Sequence, residues 1–229
     1  MHDNSIIRRL LLVAVAALTL AGCATAAPAE PVASPSASSP SPTPTPTDDP
    51  EAPASLVIGP AGFEVHSETD AVLTAVRWDA EPEALLDAVD VAFEADAVTG
   101  EEKGDGTHIA DFDTYAWEGL TLGIARLDFP RTDYFLPAWI RVDARTVEGL
   151  DVVTRTGQSV GADLATMPGF AEAVRRDWFE GGVMYLTDPE FPERVGSEST
   201  PTKMVGLLGG SDGGPITAIH SPQESYIGF

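Results

Sequence analysis

The chain has 229 residues, with 36 acidic side chains against 13 basic ones, 19 prolines and a single cysteine. A formal charge of −23 excludes a nucleic-acid grip, which needs clustered Lys and Arg against phosphate, and excludes electrostatic docking on anionic lipid. One cysteine excludes an intrachain disulfide framework and a cysteine-based zinc site.

Arg8 and Arg9 precede an apolar run over residues 10–20, the length of a signal-peptide core and short of the roughly 20 residues that a spanning helix needs. The run closes on Leu20-Ala21-Gly22-Cys23. This tetrapeptide resembles the lipobox of bacterial lipoproteins. The resemblance implies that the Cys23 sulfur receives a diacylglycerol with palmitate-type chains and that a peptidase cuts before it. Residues 1–22 are then a signal peptide, and the mature chain is held at the extracytoplasmic face of the cell membrane. Two acyl chains on one residue satisfy the two-signal requirement for stable attachment. The other reading of the same stretch is an ordinary secretory signal, cut after the Ala-x-Ala of residues 24–26. The chain is also reminiscent of uncharacterised lipoproteins of high-GC Gram-positive bacteria, in keeping with its 2 lysines against 11 arginines.

Residues 23–55 read as the lipidated cysteine followed by a disordered stalk of Pro, Ala, Ser, Thr and acid, with Pro40, Pro42, Pro44 and Pro46 in Ser-Pro and Thr-Pro repeats. No apolar side chain beyond Val32 is available before Leu56 to offset the entropy of ordering. Proline biases such a segment to polyproline II at about 3.1 Å per residue, a reach of up to about 100 Å. The composition also suits O-linked glycosylation.

The globular part is expected over 56–229. Strands are predicted at 56–58, 63–65 and 71–78, then a helix over 79–93 on the spacing of Leu85, Leu86, Val89 and Phe93, with Asp79 as N-cap and Pro82 in the first turn. Residues 94–111 lack a period and predict an acidic loop. A strand follows over 117–127, another around Ile140, Val142 and Ala144, and another over 150–154. Phe170, Val174 and Trp178 are spaced for a short helix, and strands are expected at 183–186, 204–208 and 215–220. This is an α+β pattern, mostly antiparallel sheet with two or so short helices. Its order, helix then strands from residue 79 and again from 157, resembles the tandem helix-plus-sheet repeats of the secreted β-lactamase inhibitor proteins.

Three constellations bear on chemistry. Gly157-Gln158-Ser159-Val160-Gly161 matches the G-x-S-x-G nucleophile elbow, and Ser159 with Asp188 or Asp212 and His220 assembles a serine-hydrolase order. Against it, consecutive strands rather than alternating strands and helices precede Ser159, and Pro168 cuts the following helix short. A glycine turn is the simpler reading. Asp105, Asp111 and Asp113 crowd around His108 and offer hard oxygens for calcium, without the D-x-D-x-D-G spacing. Of the remaining histidines beyond the signal segment, His66 and His220, neither shares a helical spacing with His108. The aromatics Trp78, Tyr115, Trp117, Tyr134, Phe135, Trp139, Trp178 and Phe179 divide between core and surface, with 134–136 expected at a loop tip. The closing Tyr226-Ile227-Gly228-Phe229 reads as either a docked or a frayed tail. The expected function is non-catalytic binding of a protein or glycan partner at the cell surface, with no cofactor; the alternative is an extracellular serine hydrolase using Ser159 and His220.

Overall fold

The computed structural model describes residues 52–178, 182–190, 202–210 and 213–225. The lipobox, Cys23, stalk residues 24–51, Phe179, Asp212 and residues 226–229 lie outside the described residues.

Period-two alternation builds the first three strands. In β1 (Pro53–Ile58) and β2 (Gly62–Ser67), Leu56 pairs with Val65 and Ile58 with Phe63, so four buried side chains share one face. Strand β3 (Val72–Arg77) pairs antiparallel with β2. Gly62 is required there, because a Cβ would sit 1.9 Å from the Val76 carbonyl oxygen.

Helix α1 (Pro82–Ala92) follows at once and buries Leu85, Ala88, Val89 and Ala92 on one stripe. Its N-cap is Glu81 rather than the expected Asp79, with Pro82 in the first turn, where a missing N–H costs nothing. Asp79 instead accepts from Arg77 Nε at 3.1 Å.

Residues 94–111 are not all loop. They contain β4 (Val98–Glu102), an edge strand exposed at every residue, which is why no apolar alternation announced it. The stretch 117–127 is not one strand either. Strands β5 (Phe112–Trp117) and β6 (Leu120–Ala125) form a hairpin that turns at Glu118-Gly119. Strands β7 (Ala138–Val142), β8 (Thr146–Val147) and β9 (Leu150–Thr154) follow.

The helix expected over 170–178 is replaced by a 3-10 turn at Phe170–Glu172 and by strand β10 (Val174–Asp177). Gly169, at φ +72, sets the turn, and Val174 is 39% exposed rather than facing a core. Pairing with β11 (Val183–Glu190) supplies the backbone bonds that so short a helix lacks. Another 3-10 turn, Leu164–Thr166, stands where the helix following Ser159 was expected, capped by Asp163 accepting from the Ala165 N–H at 2.9 Å. The helix-plus-sheet unit that begins at residue 79 therefore does not recur from 157 among the described residues. Strands β12 (Thr202–Gly210) and β13 (Gly213–Ser225) complete the chain.

The architecture is α+β, with mostly antiparallel strands in two sheets and one α-helix among the described residues. One sheet has the order β3-β2-β1-β9-β8, with β1 and β9 parallel; the other runs β10-β11-β12-β13-β7-β6-β5-β4. The core lies between them and under α1. Leu56, Ile58, Phe63 and Val152 from the first sheet join Leu122, Ile140, Leu207 and Ile219 from the second. The Gly59 carbonyl ties the sheets, accepting from Trp78 Nε1 at 3.2 Å and from Ser221 Oγ at 2.8 Å. On β11–β13 the outward face is apolar too, where Met184, Leu186, Met204, Leu208 and Ala218 pack together beside Trp178.

Candidate functional site

The strongest candidate site is an open groove of about 750 Å³ between the end of α1 and the β4–β5 pair. The helix brings Leu86, Val89 and Asp90; its C-cap brings Phe93, and the connection to β4 brings Glu94, Asp96 and Ala97; the sheet brings Thr99, Tyr115 and Trp117. Thr99 and Tyr115 are cross-strand partners, which sets the sheet wall of the groove.

Its floor is aromatic. The Phe93 and Trp117 rings lie 4.9 Å apart with planes tilted by 42°. Trp117 is held in place by donating Nε1–H to the Ala95 carbonyl at 2.9 Å.

Its rim is negative. Asp90, Glu94 and Asp96 are exposed, and among the described residues none of them has an ion-pair partner. Helix α1 ends here, its last turn has no basic residue, and the carbonyl end of the helix macrodipole adds to the same sign. An aromatic face ringed by carboxylates attracts an ammonium or guanidinium group, or a hydroxyl-rich ring that stacks. The polar side chains among its described lining residues are Asp90, Glu94, Asp96, Thr99, Tyr115 and Trp117.

The elbow residues form a turn. Beyond β9, Gly157 N–H donates to the Thr154 carbonyl and Thr154 N–H to the Gln158 carbonyl, both at 2.8 Å. The Gln158 side chain is buried and donates Nε2–H to the Thr156 carbonyl at 2.7 Å. Gly161 and Ala162 then dock on Ile216 through two backbone bonds of 2.8 Å. A 3-10 turn rather than a long helix follows Ser159. His220 lies on β13 with its ring 5.1 Å from that of Trp178, and its buried Nε2 has no hydrogen-bond partner. Asp188 is held by Arg155 through a fork of 3.0 and 2.8 Å. Among the described residues no hydrogen bond joins Ser159, Asp188 and His220.

The acidic loop satisfies its own carboxylates. Asp105 accepts the Thr107, His108 and Ile109 N–H groups at 2.8, 2.7 and 2.8 Å, which hold its carboxyl far below the usual range. Asp111 accepts from Lys103 Nζ at 2.7 Å and Gly104 N–H at 3.0 Å, and Arg126 binds both Asp113 and Glu101. These partners lower the Asp111, Asp113 and Glu101 carboxyls. Among the described residues no group of three metal-ligating side chains converges. His66 is clamped at 2.8 Å by both Asp70 and Glu64, which raise its pKa.

The aromatics divide as the alternation implied. Trp78 is core, Tyr115 and Trp117 line the groove, and Trp139 lies over Gly123. The loop tip is exposed: Phe129 is 46% and Phe135 41% accessible, on either side of Tyr134, whose hydroxyl accepts from the Ala110 N–H at 2.7 Å. Sequence reasoning missed the groove acids Asp90, Glu94 and Asp96. Their signal was the alternation of acid and apolar residues where the helical period ends. No protein-family model matches the chain, and no curated protein or solved structure shows significant similarity to it.

Proposed function

We propose that the chain is a lipid-anchored extracytoplasmic lipoprotein whose domain is a non-catalytic binding module, and that the α1–β4–β5 groove receives a basic or neutral protein or glycan partner. The observation that carries the binding role is the Phe93–Trp117 floor beneath carboxylates that have no counter-charge among the described residues. Cation–π contact and long-range steering both favour a positive group there. The anchor rests on Leu20-Ala21-Gly22-Cys23 after a basic and apolar leader, and the proline-rich stalk suits display at a distance from the bilayer.

Capture of partners from an envelope extract with the full-length protein tests the groove. The wild type is expected to retain a saturable partner that Trp117→Ala holds about tenfold more weakly, and that D90N/E94Q/D96N holds with less sensitivity to salt. Equal retention by all three proteins would remove the groove from the interaction. Fractionation tests the anchor. Cys23→Ala is expected to move the protein from the membrane pellet to the soluble fraction, and continued pelleting would overturn lipid attachment at Cys23.

A further inference from the structure

We propose that the outward face of the eight-stranded sheet holds a second binding pocket, for a small organic carboxylate, built from Arg141, Trp178 and the facing residues of β12 and β13. The cavity measures about 300 Å³, and its walls include Arg141, Trp178, Leu208, Thr217 and Ala218. That volume is at the lower end for small-molecule sites, and the walls are mixed, with Trp178, Leu208 and Ala218 beside the polar Arg141 and Thr217.

Pairing fixes the geometry. Arg141 on β7 is the direct cross-strand partner of His220 on β13, so the two side chains stand on one face. Leu208 is likewise opposite Ala218. The Trp178 ring closes over His220 at 5.1 Å.

Charge identifies the ligand. Arg77, Arg126 and Arg155 each hold a carboxylate of the chain, and buried Arg131 donates to the Ala125 and Pro137 carbonyls. Arg141 is half-buried beside apolar side chains, yet among the described residues its guanidinium makes no hydrogen bond or ion pair. Its guanidinium donors, with no partner among the described residues, are open to an anion. A carboxylate meets its donors in a fork, and an apolar body lies against the indole, Leu208 and Ala218. His220 does not compete for the anion, because burial first and Arg141 second depress its pKa to about 4 and leave the ring neutral.

The pocket stands apart from the groove and does not depend on it. Titration of full-length protein with benzoate, followed by calorimetry and by NMR of the Trp178 and His220 rings, tests it. Saturable binding is expected, at least about tenfold weaker for benzamide and for Arg141→Gln, and partly retained by Arg141→Lys. Bound benzoate offsets the charge of Arg141, so the His220 pKa should rise, a response that a purely structural Arg141 would not give. Trp117→Ala should leave the titration unchanged. Overturning results are an absence of saturable shifts at Trp178 and His220, equal affinity in Arg141→Gln with its fold retained, or inorganic phosphate binding as tightly as benzoate.

Discussion

Replacing Trp78 with alanine is expected to cost the domain about 4 kcal/mol of folding stability. The indole is fully buried, 5.6 Å from the Phe63 ring, at the point where β3 hands over to α1. Truncation leaves a cavity between the helix and the first sheet. It also removes one of the two donors to the Gly59 carbonyl, and Ser221 Oγ remains as the other. Trp78→Phe separates the two losses. It keeps most of the apolar volume and gives up the N–H, so it should cost about 1–2 kcal/mol. Urea unfolding should show a lower midpoint at unchanged slope for both variants. A loss below about 1 kcal/mol for Trp78→Ala would mean that the core between the sheets is not as close-packed as described.

Acid should destabilise the domain through His220 before it acts on the carboxylates. The native ring titrates at about 4, against 6.5 for an ordinary histidine, because it is buried and faces Arg141. Among the described residues, the other groups next to it are Trp178, just after β10, and Gly206, its cross-strand partner on β12, neither of which is charged. Between those two values the unfolded chain binds a proton that the native chain does not, so stability rises with pH across the interval. As pH falls from 6.5 towards 4, up to about 3 kcal/mol is lost, and below that the term is constant. His66 has the opposite sign. Its pKa is raised by Asp70 and Glu64, so its contribution is full below 6.5 and fades as pH rises through the native value. The lowered carboxyls of Glu101, Asp111 and Asp113 act at still lower pH. Urea midpoints measured between about pH 7 and about pH 4.5 should fall in the wild type and flatten in His220→Gln. An unchanged slope in His220→Gln would assign the acid sensitivity elsewhere.

How far the fold could be read from the chain depended on whether a segment has one wet face and one dry face. Strands β1, β2 and β9 and helix α1 each place apolar side chains on one side, and their periods are plain. Strand β4 is wet on both faces, and β12 is buried along seven of its nine residues, so neither carries an alternation. Phe170, Val174 and Trp178 have helical spacing by coincidence: Phe170 stacks near Tyr185, and Val174 belongs to a strand. The candidate sites were less legible still. Trp117 was visible as an aromatic near acids, but Asp90 comes from a helix, Phe93 from its C-cap and Trp117 from a strand, and no spacing links them. Arg141 carried no signal at all, because its meaning lies in what does not pair with it.

Composition and local pattern by themselves determined the class of this domain: a strongly acidic α+β unit of mostly antiparallel strands, with an amphipathic helix at α1. Those properties follow from side-chain periodicity and charge, which are local. The tertiary structure alone decided which strands share a sheet, that β1 runs parallel to β9 across nearly a hundred residues of chain, and that β7 meets β13. Such pairings depend on burying two sheets against each other and on closing long loops, neither of which any short window of sequence records. The groove and the Arg141 pocket are products of those pairings. Each is assembled from segments that become neighbours only when the core closes.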